Sequence, residues 1–139
     1  MNLFSDIRAL VLDALDAMVA AGELPGGLDF AHVTVEPPRD ASHGDMATNA
    51  AMVLAKPAGM APRAIAEALA PQLAGDGRIA TADVAGPGFL NLRLEPAEWQ
   101  GVVGAALREG AGFARSSMGQ GQRVNVEFVS ANPTGPMHV

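Results

Sequence analysis

The sequence predicts an α+β fold, in which a small, mostly antiparallel sheet is packed with about four helices. Segments with helical spacing and segments with alternating residues are interleaved, yet they form no regular strand–helix–strand repeat. Prolines and glycines stand between these segments, as expected where helices and strands end. With 139 residues, of which 49% are hydrophobic, the chain is long enough to bury the core of one domain and to carry a short extension.

Four segments have apolar residues at helical spacing and are bounded by residues that open or end helices. Asp45 is predicted to cap the second helix, and Pro57 to stop it. Pro62 suits the first position of the third helix, and Pro71 is expected to kink or end it. The predicted helices span about 2–21, 45–55, 62–71 and 96–110. On the last helix, one face carries Trp99, Val102, Val103 and Ala106.

Runs of alternating or β-branched residues predict the strands. The second and third of them are joined at 86–88, a Gly-Pro-Gly turn. Residues 110–121 are rich in glycine and serine and predict a linker, and residues 130–139 hold two prolines and a glycine and predict irregular structure. The predicted strands span 31–36, 79–84, 89–94 and 123–129.

Composition narrows the class of protein. The net charge is −6, from 9 Lys and Arg against 15 Asp and Glu, which argues against strong independent binding to nucleic acid. There is no cysteine, so neither a disulfide framework nor a thiolate zinc site is expected. The charged start is unlike a signal peptide, and no apolar run approaches the length of a membrane span. We therefore expect a soluble cytoplasmic protein without a membrane partner.

The alternation of residues over 89–94 predicts a strand with one buried face and one face that could bind a ligand. Leu90, Leu92 and Leu94 share one face, which should be core. The other face carries a ring for stacking, an amide for a base edge and a cation for a phosphate, which suits a splayed-out RNA base. A helix that covers this second face is the alternative, because most Phe side chains are buried. The candidate RNA-binding residues are Phe89, Asn91 and Arg93.

The pair His43 and Asp45 could suggest a metal site, but no third ligand stands near it in the sequence, so no metal is expected. Capping by Asp45 and a structural role for His43 in its loop are the alternatives. Asn49 is an unusual polar residue on a short alanine-rich segment, and contact with another domain is as consistent with it as simple capping.

Polar residues follow the predicted strand 123–129, where ligands often bind in open α/β sheets. Glu127 could hold a cation, while Ser130 and Asn132 could direct hydrogen bonds at an amine or a carboxylate. His138 could contact a phosphate. One strand does not make a site, however, and from the residues alone an arbitrary loop is the alternative.

Three stretches together resemble the arginyl-tRNA synthetase family. The last of them, EFVSANPTGPMHV, is similar to the run into the His-Ile-Gly-His signature of class I synthetases, with only His138-Val139 of that signature present. Other class I synthetases do not carry the two earlier stretches. The three stretches, in order, are HGDMATN at 43–49, VAGPGFLNLR at 84–93 and EFVSANPTGPMHV at 127–139.

The resemblance implies two parts. Residues 1–118 would be the additional N-terminal domain, which in this family contacts the tRNA elbow at the D-loop. Residues 119–139 would be the truncated start of the catalytic domain, with the first strand of its Rossmann fold. By the same resemblance, the arginine pocket would be lined by Glu127, Ser130 and Asn132, the ATP site would include His138, and tRNA would contact Phe89, Asn91 and Arg93.

The family enzyme attaches arginine to its tRNA with ATP, Mg²⁺ and L-arginine. The resemblance implies that this chain helps to bind arginine tRNA, needs no cofactor and is inactive without the rest of the catalytic domain, which would be its other partner. The alternative function is a structural module that braces the catalytic domain without touching RNA. The strand at 123–129 would be an exposed edge, so self-association through it is also expected.

Overall fold

The computed structural model describes residues 2–117, 119 and 121–127, and it confirms the predicted α+β class. Within these residues, four α-helices accompany a four-stranded antiparallel sheet, and two short 3-10 helices lie at Ala41–His43 and Gly110–Gly112. In chain order the elements are α1 (Leu3–Ala20), β1 (Val35–Glu36), β2 (Met46–Thr48), α2 (Ala50–Ala58), α3 (Pro62–Ala74), β3 (Ile79–Ala85), β4 (Phe89–Leu94) and α4 (Pro96–Glu109).

The strand order is β1-β2-β4-β3, so β4 lies inside the sheet between β2 and β3. In register, Asn91 of β4 stands between Ala47 of β2 and Asp83 of β3. One face of the sheet joins α1, α2 and α3 in a single hydrophobic core. The leucines at alternate positions of β4 belong to this core, as the alternation predicted.

Helix α1 follows directly from the spacing of its apolar residues. Its buried side chains are three or four residues apart, so they form one stripe toward the core. Asn2 caps the helix weakly, since its Oδ1 accepts from the Ser5 backbone N–H at 3.4 Å. Each buried side chain of this kind stabilises the fold by about 1.5–3 kcal/mol. The stripe consists of Leu3, Ile7, Val11, Leu15 and Met18.

The helix predicted from Asp45 was wrong at its start. Residues 46–48 form strand β2, and α2 begins only at Ala50. The Asp45 carboxylate caps no helix: its Oδ2 accepts from the Leu94 backbone N–H at 2.9 Å, and the Asp45 N–H donates to the Leu92 carbonyl at 2.8 Å. Pairing with β4 thus overrides the local capping signal, because β2 fills the place between β1 and β4.

Two prolines interrupt their helices less than predicted. Pro57 lies inside α2, which ends at Ala58, and Pro71 lies inside α3, which continues to Ala74. Both stand near the C-terminal end of their helix. Only the last turns therefore continue past the missing backbone donor, and the rest of each helix keeps its hydrogen bonds.

The first predicted strand is shorter than expected, since only Val35 and Glu36 of 31–36 are strand. Arg8 and Asn49 hold the preceding residues. Arg8 Nε donates to the Val33 carbonyl at 2.6 Å. Asn49 Oδ1 accepts from the Thr34 N–H at 2.8 Å. Hydrogen bonds from these side chains take the place of strand-to-strand hydrogen bonds before Val35. Asn49 therefore has a structural role within its own domain.

The predicted linker begins as expected after α4, with the short 3-10 helix and then irregular backbone. Residues 123–127 are exposed and have no regular secondary structure, while 128–139 lie outside the described residues. The strand predicted over 123–129 would pair in a catalytic sheet, and it stays a prediction. Among the described residues, no helix is both long and apolar enough to cross a membrane.

Candidate nucleic-acid interface

The face of β4 that points away from the core is open. Phe89 is 43% exposed and Asn91 is half-buried, whereas Leu90 and Leu92 on the other face are fully buried. Helices α1, α2 and α3 pack on the leucine side. The alternative that a helix covers the Phe89 face is therefore wrong for the described residues. A ring and an amide are accessible on this face.

A cleft of about 480 Å³ lies over this open face. Three segments form it: the end of β1 with the loop after it, the β2 strand with the residues that flank it, and the β3–β4 hairpin. Its walls combine an aromatic ring and prolines with amide, hydroxyl and charged groups. The lining residues are Thr34, Glu36, Pro37, Pro38, Arg39, His43, Ala47, Thr48, Asn49, Ala85, Gly86, Phe89 and Asn91.

Glycine 88 fixes the position of the Phe89 ring. The hairpin turn brings the Gly88 N–H to the Ala85 carbonyl at 3.3 Å. Gly88 has a φ of 147°, and a Cβ on it would stand 2.8 Å from the Pro62 Cβ at the start of α3. Only glycine accommodates both the backbone angle and the close approach. The hairpin therefore packs closely on α3, and the Phe89 ring belongs to the residue next to this contact.

The loop before β2 forms a second wall of the cleft, and β4 holds it closely. A Cβ on Gly44 would lie 2.7 Å from the Leu92 carbonyl oxygen, so the loop backbone touches the strand. Arg93 Nη2 donates to the Ser42 carbonyl at 2.9 Å. The Asp40 side chain also turns the loop by accepting from the Ser42 N–H at 2.8 Å. Hydrogen bonds from the side chain and the backbone of Ser42 hold the pKa of the Asp40 carboxyl below its usual value.

This arrangement separates the three residues that the sequence grouped. Phe89 and Asn91 line the cleft, but Arg93 is not among the lining residues, and its guanidinium is bonded to the loop backbone. The basic side chains on the cleft wall are Arg39 and His43. Sequence reasoning missed Arg39, because the residues after 36 indicated only the end of a strand. His43 lay within a family stretch, yet its place on the same cleft wall as Phe89 depends on tertiary contacts.

The remaining site predictions are not reached. Glu127 is exposed, and Ser130, Asn132 and His138 lie outside the described residues, so the arginine and ATP sites stay predictions. In the described part of the chain, no three His, Asp or Glu side chains come close enough to share a metal ion.

Sequence comparison relates this chain to one enzyme family. A family profile described as "Arginyl tRNA synthetase N terminal domain" matches residues 5–94. Among curated proteins, the chain is 76% identical over 139 residues to the arginine–tRNA ligase of Paracoccus denitrificans (strain Pd 1222) and 72% identical to that of Ruegeria sp. (strain TM1040). All of this chain is covered, but only 24% of each relative, so the chain spans about a quarter of their length.

Comparison with solved structures agrees at the level of the fold. The crystal structure of arginyl-tRNA synthetase from Plasmodium falciparum is similar with a TM-score of 0.55 and 13% sequence identity. The match covers 68% of this chain and 16% of that one. At this identity the likeness concerns the fold alone.

Proposed function

Because this chain belongs to the arginyl-tRNA synthetase N-terminal domain family, we propose that it is the N-terminal part of an arginine–tRNA ligase and contacts the tRNA elbow through its cleft. In the proposed contact, one D-loop base leaves its stack and enters the cleft over β4. Arginine tRNA is the partner, and the remainder of the ligase is joined to the same chain.

The observation that carries the proposal is that Phe89 and Asn91 lie together on the face of β4 that points away from the core. A ring that is 43% exposed in a folded domain offers a stacking surface, which is worth about 1–3 kcal/mol per base. The neighbouring amide can donate to and accept from a base edge. The cleft of about 480 Å³ falls within the range of about 300–1,000 Å³ that is usual for small-molecule sites.

The phosphate contact falls to Arg39 and His43 in this proposal, since both line the cleft while Arg93 is bonded to the Ser42 carbonyl. One arginine and one histidine beside Glu36, in a chain of net charge −6, supply little electrostatic attraction of their own. The elbow contact therefore adds to binding that the rest of the ligase provides, and it is weak in isolation.

Catalysis belongs to the whole ligase in this proposal. ATP with Mg²⁺ activates L-arginine there, and residues of this chain that resemble the family stretch would contribute at the edge of the site. The chain by itself is proposed to be inactive, so arginine-dependent pyrophosphate exchange by the pure chain would contradict this part of the proposal. The contributing residues would be Glu127, Ser130, Asn132 and His138.

The test is steady-state aminoacylation by the full-length ligase with Phe89→Ala and Asn91→Ala. We expect Phe89→Ala to raise KM for tRNA about 5- to 150-fold, which is about 1–3 kcal/mol, and Asn91→Ala to raise it by about 0.5–1.5 kcal/mol, with kcat for saturating tRNA changed less. Phe113→Ala is the matched control, because Phe113 is half-buried outside the cleft lining. Removal of the contacted D-loop base, by an abasic nucleotide in the tRNA, should abolish the difference between Phe89→Ala and the unchanged enzyme, because stacking accepts any base but needs one.

The second candidate is a bracing module that makes no RNA contact, and the net charge of −6 favours it. If Phe89→Ala leaves KM for tRNA unchanged and lowers the stability of the ligase, bracing replaces RNA contact as the function. Pairing of two chains through residues 123–129 is a separate proposal. Val124 and Val126 are exposed, and sedimentation of the 139-residue chain at increasing concentration tests it.

A further inference from the structure

Helix α4 carries an apolar stripe that the described structure leaves uncovered. Trp99, Val103 and Leu107 are 39%, 61% and 81% exposed, and their spacing of four residues places them in one row along the helix. A different edge of α4 packs on the domain, where Ala105 is buried and Val102 contacts the core. Contiguous exposed apolar side chains of this size mark interaction surfaces.

The position of α4 relative to the family profile limits which partner could cover this apolar stripe. The N-terminal domain profile matches 5–94, and α4 begins at Pro96, so the helix lies just beyond the domain that the profile describes. The full-length relatives nevertheless match this chain throughout and are about four times as long, since it covers 24% of them. In a protein of the relatives' length, this stripe would stand between the N-terminal domain and a much larger body of protein.

We propose that the row of Trp99, Val103 and Leu107 is the surface on which the catalytic region of the same full-length ligase docks. The proposal rests on family membership and not on the proposed tRNA contact. An RNA partner fits poorly, because the row contains no cation, and the carboxylates on and beside the helix, Glu95, Glu98 and Glu109, outnumber its one arginine, Arg108. A second copy is also disfavoured, because a region joined to the same chain is present at a high effective concentration.

The α4 row and the cleft share no residue. Trp99, Val103 and Leu107 are absent from the cleft lining, which includes Phe89 and Asn91. The two surfaces can therefore be changed by separate substitutions.

The experiment introduces Leu107→Cys into the full-length ligase and follows its labelling by a maleimide with peptide mass spectrometry. Ala97→Cys is the matched control, because Ala97 is exposed on the same helix but lies about 120° around it from Val103. We expect Leu107→Cys to react about tenfold more slowly than Ala97→Cys, at every protein concentration. Equal rates would overturn the proposal, and so would protection that disappears on dilution, since a second copy would then be the occupant.

A second variant keeps the test separate from the tRNA contact. Leu107→Glu should speed protease cleavage within 110–127 of the full-length ligase, while Phe89→Ala should leave that cleavage unchanged. If Leu107→Glu leaves the cleavage rate unchanged, the docking surface is elsewhere. A rise in KM for tRNA in Phe89→Ala, or its absence, bears only on the cleft.

Discussion

Two neighbouring polar side chains, Thr48 and Asn49, complete the hydrogen bonding that the two-residue strand β1 leaves open. Thr48 is the buried polar residue of the described core, and its Oγ1 donates to the Thr34 carbonyl at 2.8 Å. Asn49 accepts from the Thr34 N–H and donates through Nδ2 to the His32 carbonyl at 3.2 Å. Both residues line the cleft, so the same groups that hold the chain also shape the site.

We expect Asn49→Ala to lower the free energy of unfolding by about 1–2 kcal/mol, because the half-buried Thr34 N–H would lose its acceptor. Urea unfolding of the 139-residue chain measures the change. Asn125→Ala, at an exposed and irregular position, is the control and should change stability little. If Asn49→Ala changes the free energy of unfolding no more than the control does, water accepts the hydrogen bond from the Thr34 N–H in place of the lost amide.

Asp76 provides a pH-dependent contribution to stability. Its carboxylate accepts from Arg78 Nε at 2.8 Å and from Arg78 Nη2 at 3.0 Å, and this pairing holds the pKa of Asp76 below its usual value. A lowered pKa means that the stabilisation is complete above about pH 4 and is lost as the pH falls through the folded-state pKa.

Asp76→Asn should therefore cost up to about 1 kcal/mol at pH 7, because the pair is partly exposed. The difference from the unchanged chain should shrink as the pH is lowered from about 4 toward 2. Thermal unfolding across this pH range measures it, with Asp16→Asn on the exposed face of α1 as the control. A difference that stays constant with pH would assign the loss to the turn and not to the carboxylate charge.

At the scale of elements, β4 decides the architecture and the site together. Its alternation was readable from the sequence, because a strand inside a one-sided sheet must separate apolar from polar residues. Strand β2 could not be predicted from the sequence, because its three residues, with no clear alternation, come just before α2 and resemble the start of that helix. The pairing of Met46 with Leu92 and of Thr48 with Leu90, which gives those residues their strand geometry, is a tertiary contact.

The β3–β4 hairpin should be sensitive to Gly88→Ala. The φ of 147° and the approach to Pro62 together predict a loss of about 1–3 kcal/mol in stability, and displacement of the Phe89 ring should raise KM for tRNA in the full-length ligase. Gly26→Ala is the matched control, because a Cβ there meets nothing within 4 Å. Unchanged stability and KM would mean that the turn adapts without moving the ring.

On the scale of the whole molecule, the chain is acidic, whereas the proposed RNA contact needs basic side chains in the cleft. The net charge is −6, yet the cleft wall presents Arg39 and His43 together with Glu36. A single arginine beside a glutamate, in an acidic chain, favours contact at one point of an RNA over binding along its length. This agrees with a contact that adds to tRNA binding elsewhere in a ligase.

Arg39→Gln in the full-length ligase should weaken tRNA binding and lower the slope of log affinity against log salt by about 0.7–0.9, the value for one phosphate contact. Fluorescence anisotropy with labelled tRNA at several salt concentrations measures the slope. Arg115→Gln, exposed and outside the cleft lining, should leave the slope unchanged. An unchanged slope for Arg39→Gln would remove Arg39 from the phosphate contact.

The sequence by itself determined the α+β class, the course of α1, the hairpin of β3 and β4, and the two faces of β4, because each depends on local periodicity or turn chemistry. Only the tertiary structure decided that Arg93 holds the loop before β2, that Arg39 and His43 line the same cleft as Phe89, and that the described residues leave the apolar row of α4 uncovered. These features depend on close approaches between segments far apart in the chain, such as Gly44 against Leu92, and local patterns carry no information about such distances.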